Sequence, residues 1–236
     1  MEEILKASVI IVAAGKGSRM DRGYNKQYII LEDKPIIAHT IEVFENNNLI
    51  DEIILVVGKG EVELVKESII KKYNFNKVTK VVEGGKERRD SVYNGLKHVD
   101  SGCYVTLVHD GARPFITSDI IEEGIAVAKD MGACITAVPV KDTIKVVDVN
   151  MNVMDTPNRE ELRAIQTPQF FKYDLLLKAY DKLENSDMIA TDDAMLVEKL
   201  GCVVKVINGS YENIKITTPE DLILGEGILR MRKGEQ

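Results

Sequence analysis

Short continuous apolar segments alternate along most of the chain with stretches in which apolar residues recur every three or four positions. The continuous segments are typical of strands buried on both faces, and the periodic stretches of amphipathic helices. Strands that alternate with helices predict an α/β fold with a doubly wound, mostly parallel sheet. The predicted strands of this kind cover residues 9–14, 53–57, 78–82, 104–108 and 134–139.

The alternation breaks after the fifth predicted strand. Residues 143–149 and 153–156 have period-2 character and flank a turn at residues 150–152, which predicts a β-hairpin. The segment is too polar for the middle of a parallel sheet, so we expect residues 141–166 to form an arm that projects from it. Exposed strand edges are usually covered by a partner. The arm is therefore a candidate dimerisation element.

The last part of the chain returns to helices and strands. Its final helix is predicted to open with Thr218 as N-cap and Pro219 in the first turn. No repeat, low-complexity segment or linker interrupts the pattern, so a single domain over residues 1–236 is expected. The other predicted elements here are helices over 175–183 and 194–200 and strands over 203–207 and 213–217.

Composition and charge narrow the possible functions. The 236 residues are 44% hydrophobic and carry a formal net charge of −7, whereas a general nucleic-acid binder is basic. A phosphate site must therefore be a local group of cations on an acidic background. The sequence has no apolar run near the roughly 18 residues of a membrane span and no signal-peptide core. With Cys103, Cys134 and Cys202 expected as reduced core thiols, a cytoplasmic location and no membrane or nucleic-acid partner are predicted.

The segment after the first predicted strand has the chemistry of a phosphate-binding loop. Gly15 and Gly17 allow close approach of the backbone to a ligand, and the cations Arg19 and Lys26 follow. The spacing lacks the third glycine of the dinucleotide fingerprint and the Gly-Lys-Ser/Thr of a P-loop. The loop therefore predicts phosphate binding without either common motif.

Candidate polar residues also follow the third and fourth predicted strands. The glycine pair at 84–85 and the arginine pair at 88–89 fit either a ligand loop or a simple turn with solvated charges. Asp110 lies close to Arg113 and is a candidate cation ligand or polar anchor, or the start of an Asx turn. Ligands of doubly wound sheets bind beyond the carboxyl ends of the strands. Lys215, between two isoleucines, points to the surface or to that cleft.

A set of motifs occurs in order over nearly the whole chain. The motifs are Ala13-Ala14-Gly15-x-Gly17-x-Arg19-Met20, Lys26-Gln27-Tyr28, Gly84-Gly85, Asp90-Ser91-Val92, His109-Asp110-Gly111-Ala112-Arg113-Pro114, Thr167-Pro168-Gln169-Phe170-Phe171, Thr191-Asp192-Asp193-Ala194 and Asn213-Ile214-Lys215. Together they closely resemble the 2-C-methyl-D-erythritol 4-phosphate cytidylyltransferase family of the non-mevalonate isoprenoid route.

The resemblance implies a Rossmann-like sheet of the nucleotide-diphospho-sugar transferase type and a homodimer held by the arm. It also implies transfer of CMP from CTP to 2-C-methyl-D-erythritol 4-phosphate, with release of pyrophosphate and with a divalent cation, Mg²⁺, on the triphosphate. The residues implied for CTP are Ala13, Ala14, Gly15, Gly17, Gly85, Lys86, Ser91 and Gly111.

Catalytic and acceptor roles follow from the same resemblance. Arg19 and Lys26 would neutralise the charge that grows on the α-phosphate and the leaving group, while Arg159 and Lys215 would hold the acceptor phosphate. Arg159, on the arm, would serve the neighbouring subunit. The remaining implied contacts to the acceptor are Asp110, Arg113, Thr143 (also on the arm) and Thr167, with Asp110 in addition a candidate metal ligand.

Two alternatives remain open at this point. Ribitol-5-phosphate cytidylyltransferase shares the fold and the CTP loop, and would differ around Asp110, Thr143 and Arg159. A non-catalytic nucleotide-binding domain is the second alternative, although such a protein would be expected to lack Arg19, Lys26 or Lys215, and all three are present here. None of this chemistry needs a proton shuttle, so the three histidines are predicted to be non-catalytic.

Overall fold

Seven strands form one large sheet in the computed structural model, which describes residues 6–15, 26–183 and 190–234. The strands of the described chain are β1 (Ala7–Ala13), β2 (Ile30–Leu31), β3 (Lys34–Pro35), β4 (Glu52–Val57), β5 (Val78–Glu83), β6 (Val105–Asp110), β7 (Ala133–Pro139), β8 (Val146–Val147), β9 (Val153–Asp155), β10 (Arg163–Lys172) and β11 (Lys205–Asn208). The α-helices are α1 (Ile36–Glu45), α2 (Val62–Val65), α3 (Arg88–Leu96), α4 (Ser118–Met131), α5 (Tyr173–Leu183), α6 (Ala194–Glu198) and α7 (Pro219–Lys233). Lys26–Tyr28 and Arg159–Glu161 form short 3₁₀ helices, and Lys66–Lys71 forms a π-helix directly after α2.

The sheet has the order β11-β7-β10-β6-β1-β4-β5. Every neighbouring pair is parallel except the two pairs made by β10, which runs antiparallel to both β6 and β7. The predicted doubly wound, mostly parallel α/β sheet is therefore confirmed, with β1 near its centre.

Both faces of the sheet are covered by helices, as the unbroken apolar strands require. Because side chains alternate along a strand, Val9 and Ile11 of β1 join the cluster formed with α1 and α4, whereas Ile10 joins the cluster formed with α3 and α5. A third, smaller cluster packs Phe115 against Ile228 of α7. The predicted opening of α7 is confirmed, because the Thr218 side chain caps the helix and Pro219 lies in its first turn.

Two predictions about the last third of the chain are wrong. Residues 163–172 form the central strand β10, of which 163–166 were assigned to the arm and 167–172 to a connection. Its polar residues and Pro168 argue against a central strand, yet the ladder to β7 shifts register between Ile165 and Gln169 and accommodates the proline there. Residues 213–217 form no strand; a backbone hydrogen bond from Ile216 to Ala112 holds this segment instead.

The predicted hairpin is confirmed. Strands β8 and β9 pair antiparallel with each other, apart from the large sheet. The apolar side chains of the hairpin are exposed, with Val149 98% and Met151 76% accessible. No helix in the described ranges is long and apolar enough to cross a membrane.

Candidate functional site

A cavity of about 490 Å³ opens at the carboxyl ends of β1 and β6, the edge at which the sequence predicts ligand binding. It is lined by Val12, Ala13, Ala14, Gly15, Lys26, Gln27, Gly85, Lys86, Glu87, Arg88, Ser91, Asp110, Ala112 and Lys215. Most residues that the resemblance implied for CTP and catalysis are thus brought to one place. Two of them, Gly17 and Arg19, lie outside the described residues.

The residues beside Lys26 fix the short 3₁₀ helix that carries it. The buried Gln27 side chain donates through Nε2 to the carbonyl of Ala13, at the end of β1. The Tyr28 hydroxyl donates to Glu61 Oε2 at 2.7 Å. Burial, helped by Glu61, raises the pKa of Tyr28 above its usual range, so the phenol remains a donor. These two bonds hold Lys26 at the mouth of the cavity.

Ser91 shapes the glycine loop on the opposite wall. Its Oγ accepts from the Gly85 N–H and donates to the Glu87 carbonyl, both at 3.0 Å. A Cβ on Gly84 would lie 2.4 Å from the Ala14 Cβ, so only glycine lets this loop reach the end of β1. The end of β1 and the Gly84–Gly85 loop therefore lie in direct contact.

Asp110 is the centre of a cluster of cations. Its Oδ2 lies 2.8 Å from Lys215 Nζ and 3.6 Å from Arg113 Nε, and its Oδ1 lies 3.4 Å from Arg88 Nε. Burial alone would raise the pKa of Asp110, but attraction to Lys215 and Arg88 lowers it well below its usual range. Asp110 is therefore an anion surrounded by three cations.

A chain of hydrogen bonds supports this cluster from beneath. The Asp110 N–H donates to Thr167 Oγ1 at 3.0 Å, and that hydroxyl lies 3.2 Å from His109 Nδ1. His109 Nε2 lies 3.0 Å from the Arg113 carbonyl. Burial lowers the pKa of His109 to about 4, so the ring is neutral. Nε2 therefore carries the proton, and Nδ1 accepts from Thr167.

Arg88 is the site residue that sequence reasoning left undecided. Its guanidinium reaches Asp110 on one side and Asp193 on the other, where Nη1 lies 2.8 Å from Oδ2. Burial alone would lower the pKa of Arg88, but Asp193 and Asp110 raise it above its usual range. The Arg88 side chain is therefore not simply a solvated charge. Asp193 entered the sequence analysis only as part of the Thr191-Asp192-Asp193-Ala194 motif, and its role as the buried partner of Arg88 was not predicted.

The described residues do not fit a metal ion held by Asp110. Both of its carboxylate oxygens already face cations, and another cation would be repelled by Lys215, Arg88 and Arg113. The described part of the chain contains no group of three or more His, Cys, Asp or Glu side chains able to hold a metal. This arrangement disfavours the metal role predicted for Asp110.

Five predicted site residues do not line the cavity. Gly111 lies beneath the end of β1, where a Cβ would come within 3.1 Å of the Ala13 Cβ. Arg113 and Thr167 support Asp110 from below. Thr143 and Arg159 lie on the exposed arm, and Arg159 Nη1 donates to the Lys141 carbonyl at 2.9 Å.

A doubly wound sheet that gathers glycine loops and cations at the carboxyl ends of its strands is the arrangement of an enzyme that binds nucleotide phosphates. Comparison with known proteins makes the class specific. The family model described as IspD, 2-C-methyl-D-erythritol 4-phosphate cytidylyltransferase, matches residues 7–231. The chain is a nucleotidyltransferase and belongs to this family.

Individual relatives agree over nearly the full length. The chain is 65% identical to 2-C-methyl-D-erythritol 4-phosphate cytidylyltransferase from Alkaliphilus oremlandii (strain OhILAs), covering 99% of both proteins. It is 53% identical to the enzyme of that name from Clostridioides difficile (strain 630), covering 97% of this chain and 96% of the relative. The solved structure of 4-diphosphocytidyl-2C-methyl-D-erythritolsynthase from Anaerococcus prevotii DSM 20548 has a TM-score of 0.85 at 36% identity and 97% coverage of both chains.

Proposed function

We propose that the cavity between Lys26 and Lys215 is where this enzyme transfers CMP from CTP to 2-C-methyl-D-erythritol 4-phosphate. The products are 4-diphosphocytidyl-2-C-methyl-D-erythritol and pyrophosphate. The observation that carries the proposal is the gathering of cations from separate parts of the chain around one cavity that is also lined by Gly15 and Gly85. Such a site suits two anionic substrates that must meet.

CTP occupies the side of the cavity formed by the two glycine loops. Ala13, Ala14 and Gly15 end β1 there, and Gly85 faces them across the cavity. Small residues and open backbone at these positions allow close contact with a nucleotide. Gly17 and Lys86 complete this set. Ser91 shapes the wall of the cavity, and Gly111 supports the end of β1 from beneath. Any Mg²⁺ that accompanies CTP is assigned to the phosphate oxygens of the nucleotide and not to Asp110.

The acceptor phosphate occupies the side formed by Lys215, where Asp110 and Arg113 lie close by. One of its oxygens attacks the α-phosphorus of CTP, a P–O bond forms, and the bond to the oxygen that bridges to the β-phosphate breaks. Pyrophosphate leaves. The nucleophile is already ionised, so the protein needs no general base and acts by positioning and charge stabilisation. Lys26 and Arg19 stabilise the charge on the α-phosphate and the leaving group.

The working unit is a homodimer of single-domain subunits, in which the hairpin arm of one subunit covers its partner. Support comes from the apolar side chains that the hairpin exposes, including Val149 and Met151. Arg159 and Thr143 lie on this arm, away from the cavity of their own subunit, which is consistent with contacts to the partner's acceptor. The three free cysteines are consistent with a cytoplasmic location.

The test is release of pyrophosphate from CTP and Mg²⁺ with either 2-C-methyl-D-erythritol 4-phosphate or ribitol 5-phosphate as acceptor. We expect turnover with the first and none with the second. Turnover with ribitol 5-phosphate alone would retain the nucleotide chemistry but overturn the proposed acceptor. Absence of turnover with both would leave a nucleotide-binding protein and overturn the proposal as a whole.

A further inference from the structure

Arg88 connects the acceptor side of the cavity to Asp193, a buried carboxylate at the start of α6, which serves as its anchor. We propose that Arg88 is a positioning residue for acceptor binding: Asp193 fixes its guanidinium, and Arg88 in turn fixes Asp110 and the cations around it. This inference rests on the proposed function, because it assumes that Lys215 holds the acceptor phosphate.

The anchor is unusually well defined for a carboxylate. Asp193 is 1% exposed, its Oδ1 accepts from the Tyr180 hydroxyl at 2.6 Å, and its Oδ2 lies 2.8 Å from Arg88 Nη1. Its backbone N–H donates to Gln169 Oε1 at 3.2 Å, and so does that of Ala194 at 3.0 Å. These contacts fix the Asp193 carboxylate in place, so it cannot shift together with the Arg88 guanidinium. Asp193 therefore determines where Arg88 lies.

The backbone of Arg88 is tied to the same anchor. Arg88 is the first residue of α3, and Tyr93 of this helix stacks on Tyr180 with ring centroids 5.4 Å apart and planes 9° apart. Burial, reinforced by Asp193, raises the pKa of Tyr180 above its usual range. Tyr180 thus stays protonated and donates to Asp193 throughout the working pH range. Asp193 and its partner Tyr180 therefore position both helix α3 and the side chain of its first residue, Arg88.

The contact between Arg88 and Asp110 links the Asp193 anchor to acceptor binding. Arg88 faces Oδ1, which leaves Oδ2 for Lys215 and Arg113. Without Arg88, the Asp110 carboxylate has less positive charge around it and one oxygen without a charged partner. It would then hold Lys215 more strongly and repel an incoming dianionic phosphate more strongly. Both effects weaken acceptor binding, whereas CTP contacts on the glycine loops are unchanged.

The test compares Michaelis constants for the two substrates. We expect Arg88→Ala to raise KM for the acceptor by about 10- to 100-fold and to change KM for CTP by less than about threefold. Arg88→Lys should restore part of the loss, and millimolar guanidinium added to Arg88→Ala should restore part of it as well. Lys71→Ala, which removes a cation from an exposed pair with Glu67, is the matched control and should behave as wild type.

The role of Asp193 is tested by combining variants. Asp193→Asn, like Arg88→Ala, should raise KM for the acceptor. Because Asp193 acts through Arg88, the double variant should have the KM of Arg88→Ala alone. Additive losses, or a rise in KM for CTP instead of the acceptor, would overturn the inference. Failure of guanidinium rescue in a variant with a normal unfolding transition would also overturn it.

One further variant separates this inference from the proposed function. If Lys215 holds the acceptor phosphate, Lys215→Ala should raise KM for the acceptor whether or not Arg88 has a positioning role. If Lys215→Ala leaves this constant unchanged, the proposed function is wrong about the acceptor side. If Lys215→Ala raises it and Arg88→Ala does not, only the positioning role of Arg88 is wrong.

Discussion

Lys215 Nζ lies 2.8 Å from Asp110 Oδ2, and this ion pair joins the end of β6 to the segment that precedes α7. Asp110 also faces Arg88 and Arg113, so its charge offsets three cations in a largely buried site. Asp110→Asn removes that charge and leaves the cations facing one another. We expect the free energy of unfolding to fall by about 3 kcal/mol.

Urea unfolding followed by circular dichroism measures this loss. Glu67→Gln is the matched control, because it removes a carboxylate from an exposed pair with Lys71 and should cost less than about 1 kcal/mol. Equal losses in the two variants would show that Asp110 does not organise the cluster.

Lys26 is predicted to act on the transition state. It lies at the mouth of the cavity on a 3₁₀ helix that Gln27 ties to the end of β1. Lys26→Ala should lower kcat by about 100- to 1,000-fold, because a preorganised charge on the reacting phosphate is lost. The unfolding transition should be unchanged. Lys59→Ala, at an exposed position after β4, is the control. Near-normal turnover of Lys26→Ala would remove it from the catalytic set.

The fold was predictable where local pattern and tertiary role agree. The buried runs of β1 and β4 have no other stable placement than the middle of a sheet, and Thr218 with Pro219 marks the start of α7 unambiguously. Strand β10 was not predictable, because Pro168 and its polar neighbours argue against a central strand until the register shift is known. Pattern within one segment cannot reveal a ladder made with distant strands.

The site was predictable to a similar degree. Residues near the carboxyl ends of parallel strands could be assigned to one edge of the sheet. Ala14, Gly85 and Asp110 do meet there, in the cavity. The partner of Arg88 could not be found in this way, because Asp193 belongs to a helix start far along the chain and meets Arg88 only through the packing of α5 and α6. The arrangement of cations around a single carboxylate is likewise a property of three-dimensional contacts.

The proposed dimer leads to a prediction for Arg159. Its side chain lies on the exposed arm and does not line the cavity of its own subunit. Arg159→Ala should raise KM for the acceptor far more than KM for CTP. In dimers mixed from Arg159→Ala and Lys26→Ala subunits, one site combines an intact Lys26 with an intact Arg159 from the partner. Activity should therefore return on mixing. Absence of recovery in verified mixed dimers would assign Arg159 to its own subunit.

His109 predicts a decline in stability in mild acid. Burial lowers its pKa from 6.5 to about 4, so between these values the unfolded chain binds a proton that the folded chain does not. Stability therefore falls as the pH decreases from about 6.5 to about 4, by up to about 3 kcal/mol from this residue. Burial also lowers the pKa of His39, which acts in the same direction.

Urea unfolding at several pH values measures the slope, and NMR titration of the ring protons of His109 measures its cause. His109→Gln should flatten the dependence over this window. A ring that titrates near its ordinary value in the folded protein would contradict the prediction.

Two glycines in helix interiors should respond to alanine in opposite directions. A Cβ on Gly124 of α4 would lie 2.2 Å from Cζ of Phe170, a fully buried ring on β10, so either the helix or the ring must shift. Gly124→Ala should lower the free energy of unfolding by about 2 kcal/mol.

Gly227 of α7 has no atom within 4 Å of the corresponding position. Gly227→Ala should raise the free energy of unfolding by about 0.5–1 kcal/mol, because alanine loses less backbone freedom on folding and meets nothing. Urea unfolding of both variants under one set of conditions makes the comparison. Since helix propensity favours alanine at both positions, a gain at Gly124 would mean that α4 does not approach Phe170 as closely as the packing of α4 on the sheet requires.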